Sequence, residues 1–287
     1  MFQNRRALSI ASVSALLLLA TSGAASAQSA GAQRSGEKEF ELALPKSDAT
    51  KERLRMTLPE GRLLVQGSIQ MNLSTDAAFK PVSLSPDVWY GLTEDLSLGL
   101  AHSSAGAGGF YGAAGTSLCL TGEENGCLDL YSNAALLGRY SLLDSGVGLA
   151  AQGGLVIGAL DPFLLSVQLG VVGRWEMAPI AVVFQPSIQL GITERDAGNT
   201  DSLSLPVSAM YDVMPELAVG LQTGVTLGFE DIGNNWVVPM SLGGRYMVMP
   251  GVWAELVFSL PILVQGADNG PGAFDTRVLT LGGGTVF

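Results

Sequence analysis

From Arg62 to Phe287 the chain repeats one pattern: apolar and polar residues alternate with a period of two, in segments of about ten residues separated by turn signals. Leu63, Val65, Ile69, Met71 and Leu73 alternate with Gln66, Ser68, Gln70 and Asn72. Ile180, Val182, Phe184, Ile188 and Leu190 face away from Gln185, Ser187 and Gln189, and Leu217, Val219, Leu221, Val225, Leu227 and Phe229 face away from Gly220, Gln222, Gly224, Thr226 and Gly228. A period of two puts each set on one face of a β-strand.

Both faces carry information. One is apolar and the other is Gly, Ser, Gln and Thr, and only 14% of all residues are charged against 47% apolar. A soluble sandwich buries its apolar faces and sets charge outside, and this chain lacks the charge for it. The pattern predicts about twelve strands, near 62–73, 81–91, 95–104, 128–141, 146–158, 163–176, 179–192, 202–212, 217–229, 236–247, 252–264 and 275–287. "GLTED", "LLDSG", "EMAP", "VMPE" and "VMPG" are short connections, and the intervening ones are mostly longer and more polar. An even strand number with short turns at one end and loops at the other predicts an all-β, antiparallel, up-and-down transmembrane β-barrel over residues 61–287.

The strands entering the short turns end in an aromatic on the apolar face: Tyr90, Tyr140, Trp175, Tyr211, Tyr246 and the terminal Phe287. Aromatic rings suit a bilayer interface, where a ring meets apolar surface and a Tyr or Trp tip meets water. Three of these aromatics follow an arginine, in Gly138-Arg139-Tyr140, Gly173-Arg174-Trp175 and Gly244-Arg245-Tyr246. Parity then turns the arginines to the lumen, since each would cost about 2 to 4 kcal/mol facing lipid at the midplane. Glu176 and Glu255 are predicted inward nearby. Two readings stand: a positive constriction favouring small anionic or zwitterionic solutes, or an internal ion-pair network bracing the wall. Inward glycines, Gly148, Gly154, Gly170, Gly220 and Gly243 among them, predict room in the lumen.

Upstream, Arg5 and Arg6, the apolar "ALLLLA" at Ala15 to Ala20 and the small residues Ala25-Ser26-Ala27 predict a signal peptide over 1–27. Its apolar core is too short to span a bilayer. Losing Arg5 and Arg6 takes the formal net charge from −11 to −13, which speaks against nucleic acid as a partner. Residues 28–60, polar and carrying "KERLR" at Lys51 to Arg55, read as a periplasmic linker or a plug folded back into the lumen. Cys119 and Cys127, in an exported chain, predict a local disulfide. One distant histidine gives no zinc site. No cofactor or metal is predicted: the acidic loops "ERDAGNTD" (Glu194 to Asp201) and "EDIGNN" (Glu230 to Asn235) have oxygen ligands for calcium but read as solvated surface.

The leader, the alternating segments, the aromatic girdle and the last strand "LTLGGGTVF" resemble bacterial outer-membrane β-barrel proteins, over roughly residues 62–287 and without matching one subfamily. The resemblance implies the cell outer membrane as location, contact with its lipids, and Phe287 as the signal presented to the barrel-insertion machinery. It implies a passive diffusion channel for small hydrophilic solutes, or else a structural or surface-interaction barrel with a closed lumen and the Cys119–Cys127 loop as contact element. A third reading comes from "HSSAG" at His102 to Gly106, which is similar to the His-x-Ser motif of outer-membrane phospholipase A and the lipid A deacylases. His102 and Ser104 are predicted on the apolar face, where a histidine can act as base toward a serine hydroxyl, but Ala105 stands where that motif has Asn.

Overall fold

A computed structural model describes residues 54–73, 82–103, 118–122, 131–266 and 272–287. The alternating segments form a closed antiparallel barrel of twelve strands. In chain order these are β1 (Leu63–Asn72), β2 (Val82–Gly91), β3 (Leu96–Ala101), β4 (Ser132–Ser145), β5 (Val147–Leu160), β6 (Phe163–Met177), β7 (Ile180–Phe184 and Ser187–Gly191), β8 (Ser202–Ser204 and Val207–Met214), β9 (Leu217–Thr223 and Thr226–Gly228), β10 (Trp236–Met249), β11 (Val252–Gln265) and β12 (Val278–Val286). Each pairs with its neighbours in sequence, and β1 pairs with β12, from Leu64↔Val286 to Asn72↔Val278, to close the cylinder. A two-residue strand, Leu118–Cys119, adds to β2 beyond the end of β3.

The breaks in β7, β8 and β9 do not shift the register. Gly173↔Phe184 and Gly170↔Ser187 belong to one continuous pairing of β6 with β7. The cause is local: Pro186 and Pro206 have no N–H to give to a ladder. The gap in β9 at Gly224–Val225 lies between the strands carrying Pro206 and Pro239. Backbone donors beside the gaps stay paired, Gln185 N–H to the Pro206 carbonyl at 3.1 Å and Leu205 N–H to the Val225 carbonyl at 2.8 Å.

Polarity is inverted relative to a soluble fold. The inward face buries Ser68, Ser83, Ser85, Ser97, Ser166, Ser259 and Thr280, while Leu136, Leu169, Leu242, Leu256 and Leu281 are exposed on the outside. An apolar belt of that extent is satisfied only by lipid. Tyr90, Tyr140, Trp175, Tyr211, Tyr246 and Phe287 all belong to the exposed surface. Register places them near the short turns: Tyr140 opposite Leu96, Trp175 opposite Val147, Tyr211 opposite Ile180 and Tyr246 opposite Leu217. Among the described residues no helix is long and apolar enough to cross a membrane; the crossing is made by strands.

Candidate functional site in the barrel lumen

At the short-turn end, residues 54–60 run inside the barrel. Leu54, Met56 and Thr57 are buried. Met56 packs on Ala150 of β5 and Val172 of β6, and Leu58 packs against the cluster of Trp89, Ala101 and Leu137. Leu58 N–H donates to Ser97 Oγ at 2.8 Å, and Arg55 Nη1 meets Glu94 Oε2, in the turn between β2 and β3, at 2.5 Å. Two glycines make the seat. A β-carbon on Gly148 would lie 1.7 Å from the Leu54 carbonyl oxygen, and one on Gly91 would lie 2.0 Å from that of Pro59. The segment leaves through a turn in which Arg62 N–H reaches the Pro59 carbonyl at 3.1 Å and enters β1. Residues 28–53 lie outside the described residues, as does the leader over 1–27.

All three arginines point inward, each with a different environment. Arg174 donates from Nε to Glu176 Oε1 at 2.7 Å, two residues along the same face of β6, with Nη2 at 2.5 Å from the same oxygen. Arg245 and Glu255 are cross-strand partners, Nε and Nη2 reaching Oε2 at 3.0 and 2.7 Å, and the Glu255 side chain has no exposed surface. Among the described residues Arg139 makes no such direct ion pair; its Nε donates to Gln152 Oε1 at 2.7 Å, and its guanidinium carbon lies 4.0 Å from the centre of the Trp89 ring. That stack is a cation–π contact.

Above Arg139 the lumen opens into a cavity of about 420 Å³. Its wall carries Gln168, Gln185, Gln189, Gln222, Ser204 and Ser241, with Asn133 and His102 toward the β3 side. Among the described residues Arg139 is the one charged side chain lining it. A smaller space of about 90 Å³ lies below, between residues 55–58 and the wall, and Trp89 and Arg139 border both. These two side chains are therefore the floor between the chamber and the end where residues 54–58 pack.

Sequence reasoning missed Asp87. It is fully buried on the inward face of β2 and accepts from His102 N–H at 2.6 Å, Ser103 N–H at 3.0 Å, the Ser103 hydroxyl and Gln66 Nε2 at 3.1 Å. The signal was Asp87 sharing parity with Ser83 and Ser85 just after Pro86. Because Pro86 cannot donate to β3, the chain leaves the ladder at Ala101 and the carboxylate satisfies the next two backbone donors instead. That departure corrects the predicted position of His102. It does not face lipid on the Leu96, Leu98, Leu100 side but lines the chamber. Its Nδ1 meets the Pro86 carbonyl, which only accepts, so Nδ1 carries a proton, and Nε2 is hydrogen-bonded to the Tyr131 hydroxyl at 2.7 Å. Both ring nitrogens are thus engaged. Ser104 lies outside the described residues.

The remaining expectations divide similarly. Cys119 is buried opposite Ser83, whereas Cys127 lies outside the described residues. In the loop Glu194 to Asp201, Arg195 grips Asp201 with two hydrogen bonds, of 2.8 and 3.1 Å, and Gly191 N–H adds a third of 3.0 Å. The Arg195 hydrogen bonds first, and the Gly191 donor second, hold the Asp201 carboxyl below the usual carboxylate range. Among the described residues no group of three potential metal ligands comes together.

No protein-family model matches the chain, and no curated protein matches it in sequence. In three dimensions it is similar to solved porins. The NanC porin superposes with a TM-score of 0.52 at 10% identity, over 78% of this chain and 98% of that one. The KdgM porin, in complex with disordered oligogalacturonate, gives a TM-score of 0.50 at 9% identity, over 78% of this chain and 99% of that one. The chain therefore has the fold of the porin-like outer-membrane β-barrels.

Proposed function

We propose that this protein is an outer-membrane channel for passive diffusion of small hydrophilic solutes, exported by the leader at 1–27. In this reading the short turns face the periplasm and the loops face outward. The observation that carries it is the chamber of about 420 Å³, walled in part by amides and hydroxyls inside a barrel whose outer surface is apolar. A twelve-stranded barrel is intermediate between one filled by side chains and an open pore, so the inward residues decide, and here many of them are glycine, serine and glutamine. The similarity to a porin solved with oligogalacturonate agrees with a hydrophilic solute in general and names none for this chain.

One observation favours a second reading, a structural or surface barrel with a closed lumen: residues 54–60 occupy the short-turn end. Planar-bilayer conductance separates the two. Stepwise openings are expected from full-length protein or, if residues 28–60 close the pore at rest, from a form lacking them. Silence from both ends the channel reading. The hydrolase reading has no such support, because His102 is turned into the lumen and its nitrogens are engaged. Ser104→Ala is expected to leave any phospholipid or lipid A hydrolysis unchanged.

A further inference from the structure

We infer that the chamber is a binding site for small uncharged solutes rich in hydroxyl or amide groups, such as neutral sugars and polyols, and that the lumen does not sort anions. The inference rests on the channel reading and gives it a substrate class.

Charge comes first. An inward arginine attracts anions only if its field reaches the solute. Arg174 and Arg245 each touch a carboxylate of the same wall, Glu176 at 2.5 Å and Glu255 at 2.7 Å. A pair that close presents a dipole, and a dipole's field falls faster with distance than a charge's. Arg139 is buried against Trp89, with the buried Asp87 carboxylate within electrostatic reach. Arg174 and Arg245 thus each have an acid beside them, and Arg139 has one within electrostatic reach. At the opposite end Glu194, Asp196, Glu230, Asp231 and Asp275 are exposed, in a chain of net charge −11, so an approaching anion meets repulsion.

The chamber's chemistry is complementary to a hydroxyl. A carboxylate only accepts hydrogen bonds, whereas a hydroxyl or amide both donates and accepts. Gln168, Gln185, Gln189 and Gln222 each offer a carbonyl and an NH₂ group, and Ser204 and Ser241 add hydroxyls. Part of that capacity is unused. Gln185 Oε1 and Gln222 Oε1 are buried and have no hydrogen-bond partner among the described residues. Small rotations of these amides would pair them with a solute bearing several hydroxyls. The size fits too: about 420 Å³ lies at the lower end of small-ligand pockets, roughly 300–1,000 Å³.

The test uses full-length protein in planar bilayers and liposomes. Across a KCl gradient the reversal potential is expected near zero or slightly to the potassium side. Osmotic swelling is expected to be faster in a neutral hexose than in the sodium salt of the corresponding hexuronate. A reversal potential near the chloride limit, or hexuronate entering as fast as hexose, overturns the inference and leaves the channel standing. Gln185→Leu with Gln222→Leu is expected to lower the hexose-to-hexuronate ratio about fivefold, the factor one neutral hydrogen bond carries; an unchanged ratio refutes the amide site. Glu176→Gln, which bares Arg174 at a half-buried position, is expected to move the reversal potential toward chloride, and no movement refutes the neutralisation argument. No conductance and no swelling with any solute, with or without residues 28–60, sinks the channel reading and this one with it.

Discussion

The carbonyl oxygen of Leu54 sits where Gly148 has no side chain; a β-carbon there would lie 1.7 Å from it. Glycine within a strand is unfavourable by itself, so its value here is the space it leaves for another backbone. Gly148→Ala is expected to eject residues 54–58 without altering their sequence. Single-channel conductance should rise, and a cysteine placed at Met56 should become reactive to a water-soluble maleimide. Gly67→Ala is the control, since its β-carbon would meet only ordinary contacts, at 3.6 Å from the Ser85 carbonyl. Equal conductance in both variants would mean that the plugged end does not limit the current.

Glu255 has no exposed side-chain surface and depends on Arg245 across the strand pair. Removing one partner of a buried pair leaves an uncompensated charge, at a cost of about 3 kcal/mol, whereas replacing both with apolar groups is close to neutral. Arg245→Leu should therefore lower the urea midpoint of the barrel, and Arg245→Leu with Glu255→Leu should restore much of it. The heat-dependent mobility shift on gels reports folded barrel in both cases.

Asp201 provides the pH dependence. Its folded carboxyl lies below the ordinary value of about 3.9 because of Arg195 and Gly191. A depressed carboxyl contributes fully above the unfolded value, and the contribution is lost as pH falls through the lowered folded one. The amide resonance of Gly191, which donates to Asp201 Oδ1, should thus titrate with a midpoint below the usual aspartate range. In Asp201→Asn that titration should vanish. A midpoint at or above the ordinary value would show that the clasp does not hold in solution.

Phe287 is expected to act in assembly. Its ring is exposed beside the β1 edge, where Phe287 N–H bonds the Leu63 carbonyl at 2.8 Å. Phe287→Ala should lower the amount of folded barrel recovered in outer membranes while leaving unaided folding in detergent largely intact. An equal loss in both settings would make the ring a structural rather than a recognition element.

The twelve strands were legible because period-two alternation holds over most of each strand, although bulges shift the register locally in the β4–β5, β5–β6, β8–β9 and β10–β11 pairs. The breaks at Pro186 and Pro206 shift no register, so they cost the pattern nothing. His102 was misread because parity assumes an unbroken ladder, and the ladder of β3 stops at Ala101 opposite Pro86. Asp87 was missed because its partners are backbone donors, which composition does not mark. The course of residues 54–60 was beyond reach for a different reason. Its seat is made of absent side chains, Gly91 and Gly148, in strands far away in sequence.

The seam of the cylinder joins β1 to β12, the first strand made to the last. Every other strand pair is local in sequence, so eleven strands could zip up as a ribbon with two bare edges before the twelfth arrives. Closure has the largest loop entropy of any step and can only come last. Until Phe287 is in place the chain carries an apolar face and two open edges through water, the state most exposed to aggregation. The seam thus leads one to expect that escort to the membrane protects this chain before closure, independent of what the finished barrel does.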